Sequence, residues 1–513
     1  MRSYNPLKIL DSLLNRVTMY RLVLRFLLLL LAIALILSSL GKLPFSPYAL
    51  IYSTLLLFVI SVLANKLFSK IWNVPTNFES TYITILILAF IVSPPSDGQF
   101  YQFLPFIFWV GIWSVAVKYL LVIWKKHIFN PVAFSVALTA LTIQQSASWW
   151  VGTSWMLPFV ILGGLLVVQK IKRYDLVISL LITAGLVVVI GSLGNANIFT
   201  VLKQIIVDSP LVFFALIMLT EPLTTPPTRV KRIIYGAFVG LLYAPFLHIG
   251  PIYSTPELAL CVGNICSWLI SSKRKYVLTL KSKDKIARDT GEFIFTSDHK
   301  INFHPGQYVE LTLPHKKSDS RGFRRYFTIA SSPTERDIIL GIKFDTKNSS
   351  SFKKALAEME EGKTLVVGQL AGDFTLPKDK DKKLCFIAGG IGITPFRSMM
   401  VYMLDKIEKR DVVLVYSCKR IEELAYTEIF DRAHAHFDLR MISTLTDIDH
   451  IPKDWNSYKG FINVELLLQE VQDYAERIFY ISGPPAFVSA TEKILAEIGV
   501  DSKNIKTDYF PGF

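Results

Sequence analysis

Long apolar runs separated by short polar segments fill the first half of the chain, whereas single apolar and polar residues alternate in the second half. A helix needs about 20 apolar residues to cross a bilayer. Six runs are long enough or nearly so: 22–40, 48–65, 101–124, 154–169, 175–193 and 232–249. Four shorter runs lie at 81–92, 131–143, 209–220 and 256–271. The pattern predicts a polytopic α-helical membrane domain of ten helices.

Lysine and arginine cluster at the N-terminus and after alternate runs. The segments 93–101, 145–153 and 250–255 between those clusters contain neither residue. Basic loops stay in the cytoplasm. We therefore expect an integral protein of the plasma (cytoplasmic) membrane, with both termini and the second half in the cytoplasm. The first run is not expected to be a cleaved signal peptide, because no A-x-A-like site follows it.

The net charge of +14 on 513 residues, 51% of them hydrophobic, follows the same division. Residues 1–272 contain 18 Lys and Arg against 7 Asp and Glu, whereas residues 273–513 have a net charge of only +3. The excess is a topology signal, so no nucleic-acid partner is expected. No metal is expected either, because four scattered cysteines fit no disulfide framework, zinc site or iron–sulfur cluster: Cys261, Cys266, Cys385 and Cys418.

Proline-interrupted short helices occur twice, within Phe90–Leu141 and Met218–Leu269, at an offset of about 127 residues. Five helices per copy require opposite topologies, so two inverted repeats are predicted, with a site near the membrane midplane. An alternative is that proline simply ends helices at the interface, where Glu221 would be an interfacial residue. The candidate residues of this membrane site are Asn130, Pro131, Glu221, Pro222 and Thr224.

The second half changes pattern twice. From Tyr276 to about Pro377 apolar and polar residues alternate between turn signals, which predicts a small antiparallel barrel. From Lys383 strands alternate with helices, as in an α/β domain with a parallel sheet. We therefore predict a membrane domain at 1–272, a barrel domain at 273–380 and an α/β domain at 381–513.

One glycine-rich segment has a clear chemical meaning. Residues 386–395 read as a buried strand that runs into Gly389, Gly390 and Gly392 and then into a helix starting near Thr394 and Pro395. Glycine lets a backbone approach a pyrophosphate, and a helix N-terminus favours the anion. An Arg-aromatic-Thr cluster at 324–333 and a Ser-Gly-Pro-Pro sequence at 482–485 accompany it.

Together these segments resemble the ferredoxin–NADP reductase superfamily across residues 276–513. The resemblance implies an NAD(P)H-dependent, FAD-containing oxidoreductase with an FAD-binding antiparallel β-barrel and a Rossmann-like NAD(P)-binding domain. The family's R-x-[YF]-[ST] motif matches Arg325, Phe327 and Thr328. It implies that Arg325 binds the FAD pyrophosphate, that Phe327 packs against the isoalloxazine with Tyr326 beside it, and that Thr328 bonds near flavin N5.

The same resemblance assigns further residues. The glycine segment would hold the nicotinamide dinucleotide, and the catalytic residues would be Thr328 and Ser482, the latter a Cys in many relatives. NADH and NADPH both remain open, because Lys419 and Arg420 fit a 2′-phosphate or a solvated surface. Three assignments have structural alternatives, namely Phe327 as barrel core, the serines as a helix cap and Phe513 as a frayed end. Further cofactor contacts would be Ser349, Ser350, Ser351, Gly483, Pro484 and a flavin-covering Phe513.

The membrane half is similar to the RnfD/NqrB membrane subunits over roughly residues 80–270. The resemblance lies in 127–133, 218–228 and Ile234-Tyr235-Gly236. It implies ten spans in two inverted repeats, further subunits and an FMN. Because the family's S-G-A-T flavinylation sequence is absent, any FMN here is expected to be non-covalent. A haem-bearing design is disfavoured, since this half has only His127 and His248.

The sequence thus predicts a membrane-bound flavoprotein that oxidises NAD(P)H through FAD. Electrons would pass to a membrane acceptor, a quinone or flavin, or to a redox partner protein. The alternative is an ion-translocating or transport module regulated by a tethered reductase domain.

Overall fold

The computed structural model describes residues 10, 14, 17–72, 78–95, 100–123, 126–192, 197–244, 246–271, 275–315, 319, 323–344, 349–437 and 439–509. The chain folds as two compact units, Met1–Arg274 and Lys275–Phe513. Each unit is described by itself. The domain limits expected from the sequence, at 272/273 and 380/381, stay predictions.

The N-terminal unit is helical. Its helices are α1 Met19–Ser39, α2 Pro47–Ile71, α3 Phe78–Ile91, α4 Phe100–Leu120, α5 Pro131–Ile143, α6 Leu157–Ile171, α7 Tyr174–Gly191, α8 Ile198–Val207, α9 Leu211–Met218, α10 Arg229–Leu242 and α11 Pro256–Ile270. Two short hairpins join them, β1 Val122–Ile123 with β2 Lys126–His127, and β3 His248–Ile249 with β4 Ile252–Tyr253. Cap side chains and first-turn prolines start α2, α5 and α11, as expected for helices that begin sharply.

Four helices, α1, α2, α4 and α7, are long and apolar enough to cross a membrane. The pair α8 and α9, bent by 57°, makes a fifth candidate. The predicted region of several apolar helices is confirmed, whereas the count of ten spans is not, and the inverted repeats stay a prediction. Helices α3, α5, α6 and α11 are apolar but shorter.

Two boundaries in this unit differ from the sequence prediction. The segment 194–208, expected to be a loop, contains α8, which Asn197 caps by accepting the Phe199 N–H at 2.9 Å. Thr200, Lys203 and Gln204 interrupt its apolar residues, and its side chains are all at least partly exposed. Helix α10 ends at Leu242 rather than continuing to 249, because the sequence places a proline at 245 and the residue before a proline avoids the helical conformation.

Two glycines allow α10 to pack closely against α7. A Cβ added at Gly236 of α10 would lie 2.6 Å from the Leu176 carbonyl oxygen, and one at Gly240 would lie 2.8 Å from that of Leu180. Both carbonyls belong to α7. Small residues at matching helical positions let two membrane helices approach at backbone distance.

The C-terminal unit begins with a six-stranded antiparallel barrel sheet, as the alternating pattern predicts. Its strands are β5 Tyr276–Ala287, β6 Thr290–Ser297, β7 Tyr308–Thr312, β8 Arg324–Thr328, β9 Ile338–Lys343 and β10 Thr364–Ala371, in the order β8-β7-β10-β5-β6-β9. Alternate residues such as Leu280, Phe295 and Val309 form its core. The helix that follows the three serines is α12 Ser351–Ala357.

A six-stranded parallel sheet follows. Its strands are β11 Leu384–Gly389, β12 Val412–Cys418, β13 Leu439–Leu445, β14 Tyr458–Lys459, β15 Ile478–Gly483 and β16 Ile505–Tyr509, in the order β14-β13-β12-β11-β15-β16. Its central strands β11 and β12 are buried along their whole length, as strands covered by helices on both faces are. The predicted barrel followed by a nucleotide-binding α/β domain is confirmed. The helices of this domain are α13 Thr394–Asp405, α14 Thr427–His436, α15 Val464–Glu470 and α16 Pro485–Glu497.

Candidate functional site

The glycine turn lies at the carboxyl end of the central strand β11. Gly390 has a φ of +55°, and a Cβ added there would meet nothing within 4 Å, so the turn is open on that side. A Cβ at Gly392 would instead lie 2.2 Å from the Ser482 carbonyl oxygen. Thr394 and Pro395 then begin α13, with the Thr394 hydroxyl donating to the Ile391 carbonyl at 3.1 Å. The turn is thus open toward solvent and tightly packed behind, as a backbone that approaches a pyrophosphate must be.

Ser482 lies beside this turn, at the carboxyl end of β15. It pairs with Ala388 of β11 and with Asp508 of β16 in the parallel sheet. Its Oγ is buried and has no hydrogen-bond partner within the described part of the chain. Leaving a buried hydroxyl unsatisfied costs about 1–3 kcal/mol. Such an atom at a sheet edge that also carries a glycine turn fits a ligand contact, and Gly483 and Pro484 lead from it into α16.

Arg325 lies in β8 and is only 7% exposed. Its guanidinium donates to the Arg324 carbonyl at 2.7 Å and to Asp319 Oδ1 at 3.0 Å. The other oxygen of that carboxylate accepts the Ser351 N–H at 3.1 Å. A guanidinium and a backbone N–H that together bind a carboxylate are donors of the kind that bind phosphate oxygens.

The three serines divide their roles. Ser350 is the N-cap of α12 and accepts the Lys353 N–H at 3.3 Å, so the capping alternative describes this residue. Ser351 Oγ lies 2.9 Å from His315 Nε2 and accepts the Asp319 N–H at 2.9 Å. Ser349 precedes them in the same segment. Of the three serines, Ser351 therefore shares with Arg325 the binding of one carboxylate, that of Asp319.

The two aromatic residues of the motif face different surroundings. Phe327 packs against the barrel core, with its ring centroid 5.7 Å from that of Phe352. Tyr326 is 49% exposed and meets Tyr308 edge-on at 5.6 Å. The exposed ring next to Thr328 is thus that of Tyr326, whereas Phe327 has the contacts that the core alternative describes. Phe513 lies outside the described residues.

Thr328 ends β8 and is buried. Its Oγ1 donates to Asp508 Oδ2 of β16 at 3.3 Å. Sequence reasoning did not find Asp508, although the alternation of residues 505–509 after α16 is a signal for a last strand whose end lies beside Ser482. The structure therefore brings the barrel motif, Ser482 and the glycine turn to one edge of the parallel sheet.

One of the two cations after β12, Arg420, has side-chain partners of its own. Arg420 Nε donates to Asp447 Oδ2 at 2.7 Å, and its Nη2 lies 3.3 Å from His450. Asp447 in turn lies 3.0 Å from the His450 ring. This arrangement leaves the choice between NADH and NADPH open.

The membrane-site residues predicted from the sequence come together in the N-terminal unit. Asn130 Nδ2 donates to Glu221 Oε2 at 2.8 Å, and Thr224 Oγ1 donates to the same oxygen at 3.3 Å. Asn130 Oδ1 also caps α5, of which Pro131 is the first residue. Pro222 is buried beside Glu221. The cluster adjoins a cavity of about 60 Å³ lined in part by Asn130, Pro131 and Glu221.

Three further polar residues extend this cluster, and two of them, Asn264 and Lys118, were missed in the sequence. The Asn130 N–H donates to Asn264 Oδ1 at 2.7 Å, and Asn264 Nδ2 donates to the Tyr235 hydroxyl at 3.1 Å. Lys118 of α4 donates to Thr84 at 3.0 Å and to the Ser80 hydroxyl at 3.2 Å, and both acceptors line the cavity. Only the fold reveals Asn264 and Lys118, since each is an isolated polar residue in an apolar run.

The chain is similar to several known proteins, and one match falls within the C-terminal unit. The family profile described as oxidoreductase NAD-binding domain matches residues 386–493. The glycine betaine monooxygenase reductase subunit of Pseudomonas aeruginosa is 27% identical over 225 residues, which are 43% of this chain and 60% of that protein. A subunit of the Na(+)-translocating NADH-quinone reductase of Yersinia pestis is 31% identical over 202 residues, 37% of this chain and 49% of that protein. A ferredoxin NADP+ reductase structure from Neisseria gonorrhoeae matches with a TM-score of 0.40 and 19% identity, over 46% of this chain and 99% of that one.

The chain thus spans 60% and 49% of the lengths of these two curated relatives. The matches do not confirm the RnfD/NqrB resemblance of the membrane half. They do confirm the predicted oxidoreductase class and its cofactors, FAD and NAD(P)H. The C-terminal unit is accordingly a reductase of the NAD(P)H-dependent, FAD-containing class.

Proposed function

We propose that the protein is an integral membrane flavoprotein of the plasma membrane that oxidises NAD(P)H on its cytoplasmic side and delivers the electrons to an acceptor in or at the membrane. The observation that carries the proposal is the contact of Thr328 with Asp508, the register partner of Ser482. Through this contact β8, which carries the flavin motif, lies beside β16, the neighbour of the strand β15 that carries the nicotinamide motif, at the carboxyl end of the parallel sheet.

The nucleotide end of the site consists mostly of backbone. Gly389, Gly390 and Gly392 present peptide groups on an open turn, and Thr394 and Pro395 start the helix whose N-terminus favours the pyrophosphate. The unsatisfied Ser482 hydroxyl gains its missing hydrogen bond from the nicotinamide end of the nucleotide. The main chain at Gly483 and Pro484 closes the side of that pocket.

The flavin end depends on charge and on aromatic surface. Arg325 and Ser349–Ser351 hold the FAD pyrophosphate, Tyr326 and Phe327 pack near the ring, and Thr328 bonds at its edge. When bound, FAD supplies the chemistry that connects a two-electron hydride donor to one-electron acceptors. Asp508 accepts the Thr328 proton, so the hydroxyl oxygen would accept, and not donate, a hydrogen bond with the flavin.

The acceptor is a quinone or a non-covalent flavin in the membrane unit, or a separate redox protein or subunit. Both curated relatives are named as subunits of larger systems, a monooxygenase and an NADH-quinone reductase, which supports electron export from the reductase unit. The polar cluster of Asn130, Glu221 and Thr224 is the proposed membrane site. Polar and ionisable groups among membrane helices are costly and mark function.

A second function, ion translocation or transport regulated by the reductase, is supported by the same cluster. Glu221 lines the cavity, and the Lys118 ammonium donates to Ser80 and Thr84, which line it as well. Groups of this kind line ion and proton paths in membrane proteins.

The decisive experiment is flavin stoichiometry and acceptor reduction on the purified full chain. We expect NADH or NADPH to bleach the bound flavin, and E221Q to slow reduction of a soluble quinone in liposomes without slowing that bleaching. E257Q is the matched control, since Glu257 is a second buried carboxylate, bonded by Trp149 Nε1 at 3.1 Å. A chain without flavin, or unchanged quinone reduction in E221Q, would contradict the proposal. Altered ion uptake with normal quinone reduction would favour the second function.

A further inference from the structure

A buried arginine joins the two halves of the reductase unit. Arg397 lies on α13, directly after the glycine turn, and is 6% exposed. Its Nη1 donates to the Ala330 carbonyl at 2.8 Å and to Glu335 Oε2 at 2.8 Å, and its Nη2 donates to Glu335 Oε1 at 3.1 Å. Ala330 and Glu335 belong to the segment that leaves the flavin strand β8. Arg397 therefore makes a bidentate ion pair with Glu335 and a hydrogen bond to the Ala330 carbonyl, both across the boundary between the barrel and the parallel sheet.

The surroundings make this contact rigid. The guanidinium carbon lies 5.2 Å from the centre of the Tyr426 ring, and Glu292 Oε1 lies 4.0 Å from Arg397 Nε. The adjacent Ser398 hydroxyl donates to the Ser331 carbonyl at 2.6 Å. A charge-assisted, bidentate pair excluded from water has a fixed geometry and is stronger than a surface pair.

Two charged groups of the nucleotide-binding domain thus hold one short segment of the barrel. Asp508 accepts from Thr328, and Arg397 donates to Ala330 two residues later. The first group lies beside Ser482 in the sheet, and the second is on the helix that the glycine turn begins. Any shift of α13 against the barrel would move the flavin strand relative to the nucleotide turn.

We propose that Arg397, with Glu335, is a positioning residue for hydride transfer. It touches neither substrate nor cofactor but sets the separation between the end of β8 and the glycine turn. The inference rests on the proposed assignment of those two segments to flavin and nicotinamide nucleotide. Productive transfer needs reacting atoms about 3–3.5 Å apart, and a misplacement of about 1 Å costs roughly 100-fold in rate.

Arginine is required here because of its shape as well as its charge. One planar guanidinium serves three acceptors, two carboxylate oxygens and one carbonyl. Lysine has a compact ammonium that cannot make the bidentate contact with the Glu335 carboxylate. R397K therefore keeps the charge and loses the geometry, and E335Q keeps the shape and loses the charge.

The test uses the purified full chain in detergent and measures flavin bleaching in single turnovers at saturating nucleotide, per bound FAD. We expect R397K and E335Q each to slow bleaching tenfold or more, with unchanged FAD content and unchanged nucleotide concentration for half-maximal rate. The double variant should be no slower than the slower single variant, because both changes break one contact. With nucleotide deuterated at the transferred hydride, the isotope effect on the bleaching rate should rise, because hydride transfer becomes more rate-limiting. A loss of stability alone would not change this isotope effect.

R477K is the matched control. Arg477 is also buried, pairs with both oxygens of Asp473 at 2.6 and 2.9 Å, and donates to the Leu384 carbonyl at 2.9 Å. That carbonyl lies at the opposite end of β11 from the glycine turn. A wild-type rate per FAD in both R397K and E335Q, or an equal slowing in R477K, overturns the inference. Failure of wild-type flavin to bleach with either nucleotide would instead overturn the proposed function.

Discussion

Thr328 Oγ1 donates a hydrogen bond to Asp508 Oδ2 at 3.3 Å, across 180 residues of sequence. Thr328 ends the barrel strand that carries the Arg-aromatic-Thr motif, and Asp508 lies on the last strand of the parallel sheet, opposite Ser482. One buried hydroxyl therefore belongs to the flavin motif and is oriented by the nucleotide-binding domain. Its proton points to the carboxylate, which leaves the oxygen free to accept a bond from a ligand.

Removal of this hydroxyl tests its role directly. T328V keeps the shape of the side chain and loses the hydrogen bond, so we expect the fold and FAD content to persist while flavin reduction by NAD(P)H slows about tenfold, as for one hydrogen bond of about 1.4 kcal/mol. Stopped-flow bleaching measures the rate. T290V is the control, because Thr290 is a buried threonine of the same barrel, on strand β6, which is not paired with β8. Equal rates in T328V and wild type would contradict the assignment.

Arg325 should govern FAD affinity rather than turnover. R325A removes the guanidinium that binds an anionic oxygen beside Ser351, and a charged hydrogen bond contributes about 2 kcal/mol, or roughly 30-fold in Kd. Fluorescence titration of the apoprotein with FAD measures the change. R324A is the natural control, because Arg324 is the adjacent arginine of the same strand and its side chain points to the other face. Similar losses in both variants would indicate a general charge effect instead of a specific contact.

The buried Ser482 hydroxyl is expected to lower the stability of the fold and to bind the nicotinamide nucleotide. S482A removes a buried hydroxyl that has no hydrogen-bond partner in the described structure, so we expect an unchanged or higher Tm. The nicotinamide would lose a contact, and kcat/KM for NAD(P)H should fall about tenfold, as for one hydrogen bond of about 1.4 kcal/mol. Thermal melts and steady-state kinetics with ferricyanide give both values. A lower Tm together with a normal kcat/KM would assign the hydroxyl to the fold alone.

The sequence predicts what depends on local pattern. Alternation between Tyr276 and Pro377 reflects strands with one buried face, and glycines after a wholly buried strand mark the nucleotide turn, so both elements are found where the pattern indicates. The pattern misses helix α8 because its apolar side chains share a short segment with polar ones, unlike the long runs of the spans.

Residues that act across the fold leave no such pattern. Asp508 and Arg397 meet their partners only after the parallel sheet has packed on the barrel. In the membrane unit, Asn130 and Glu221 are predictable because prolines flank them at matching places, whereas Asn264 lies inside an apolar helix and contacts Asn130 across 134 residues. Long-range partners of this kind follow from topology, which single residues do not encode.

The Glu292 carboxyl gives the reductase unit a defined pH dependence. Burial raises its pKa above the ordinary value, more than the nearby Arg397 lowers it, so the folded state binds this proton more tightly than the unfolded state. The resulting stability is fully present below the ordinary glutamate pKa and is lost as the pH rises through the raised value.

Replacement of Glu292 by its neutral isostere should therefore stabilise the unit in one pH range only. E292Q should have a higher Tm than wild type at pH 7–8, and the difference should vanish on acidification to about pH 4, where the carboxyl is protonated in both states. Flavin release from the full chain reports the Tm. E408Q should behave oppositely: although burial opposes the shift, hydrogen bonds from Arg410 and Lys380 lower the pKa of Glu408, so this variant should lose stability at neutral pH and approach wild type in acid. Parallel behaviour of the two variants would contradict the assigned directions, because burial dominates at Glu292 and ion pairing at Glu408.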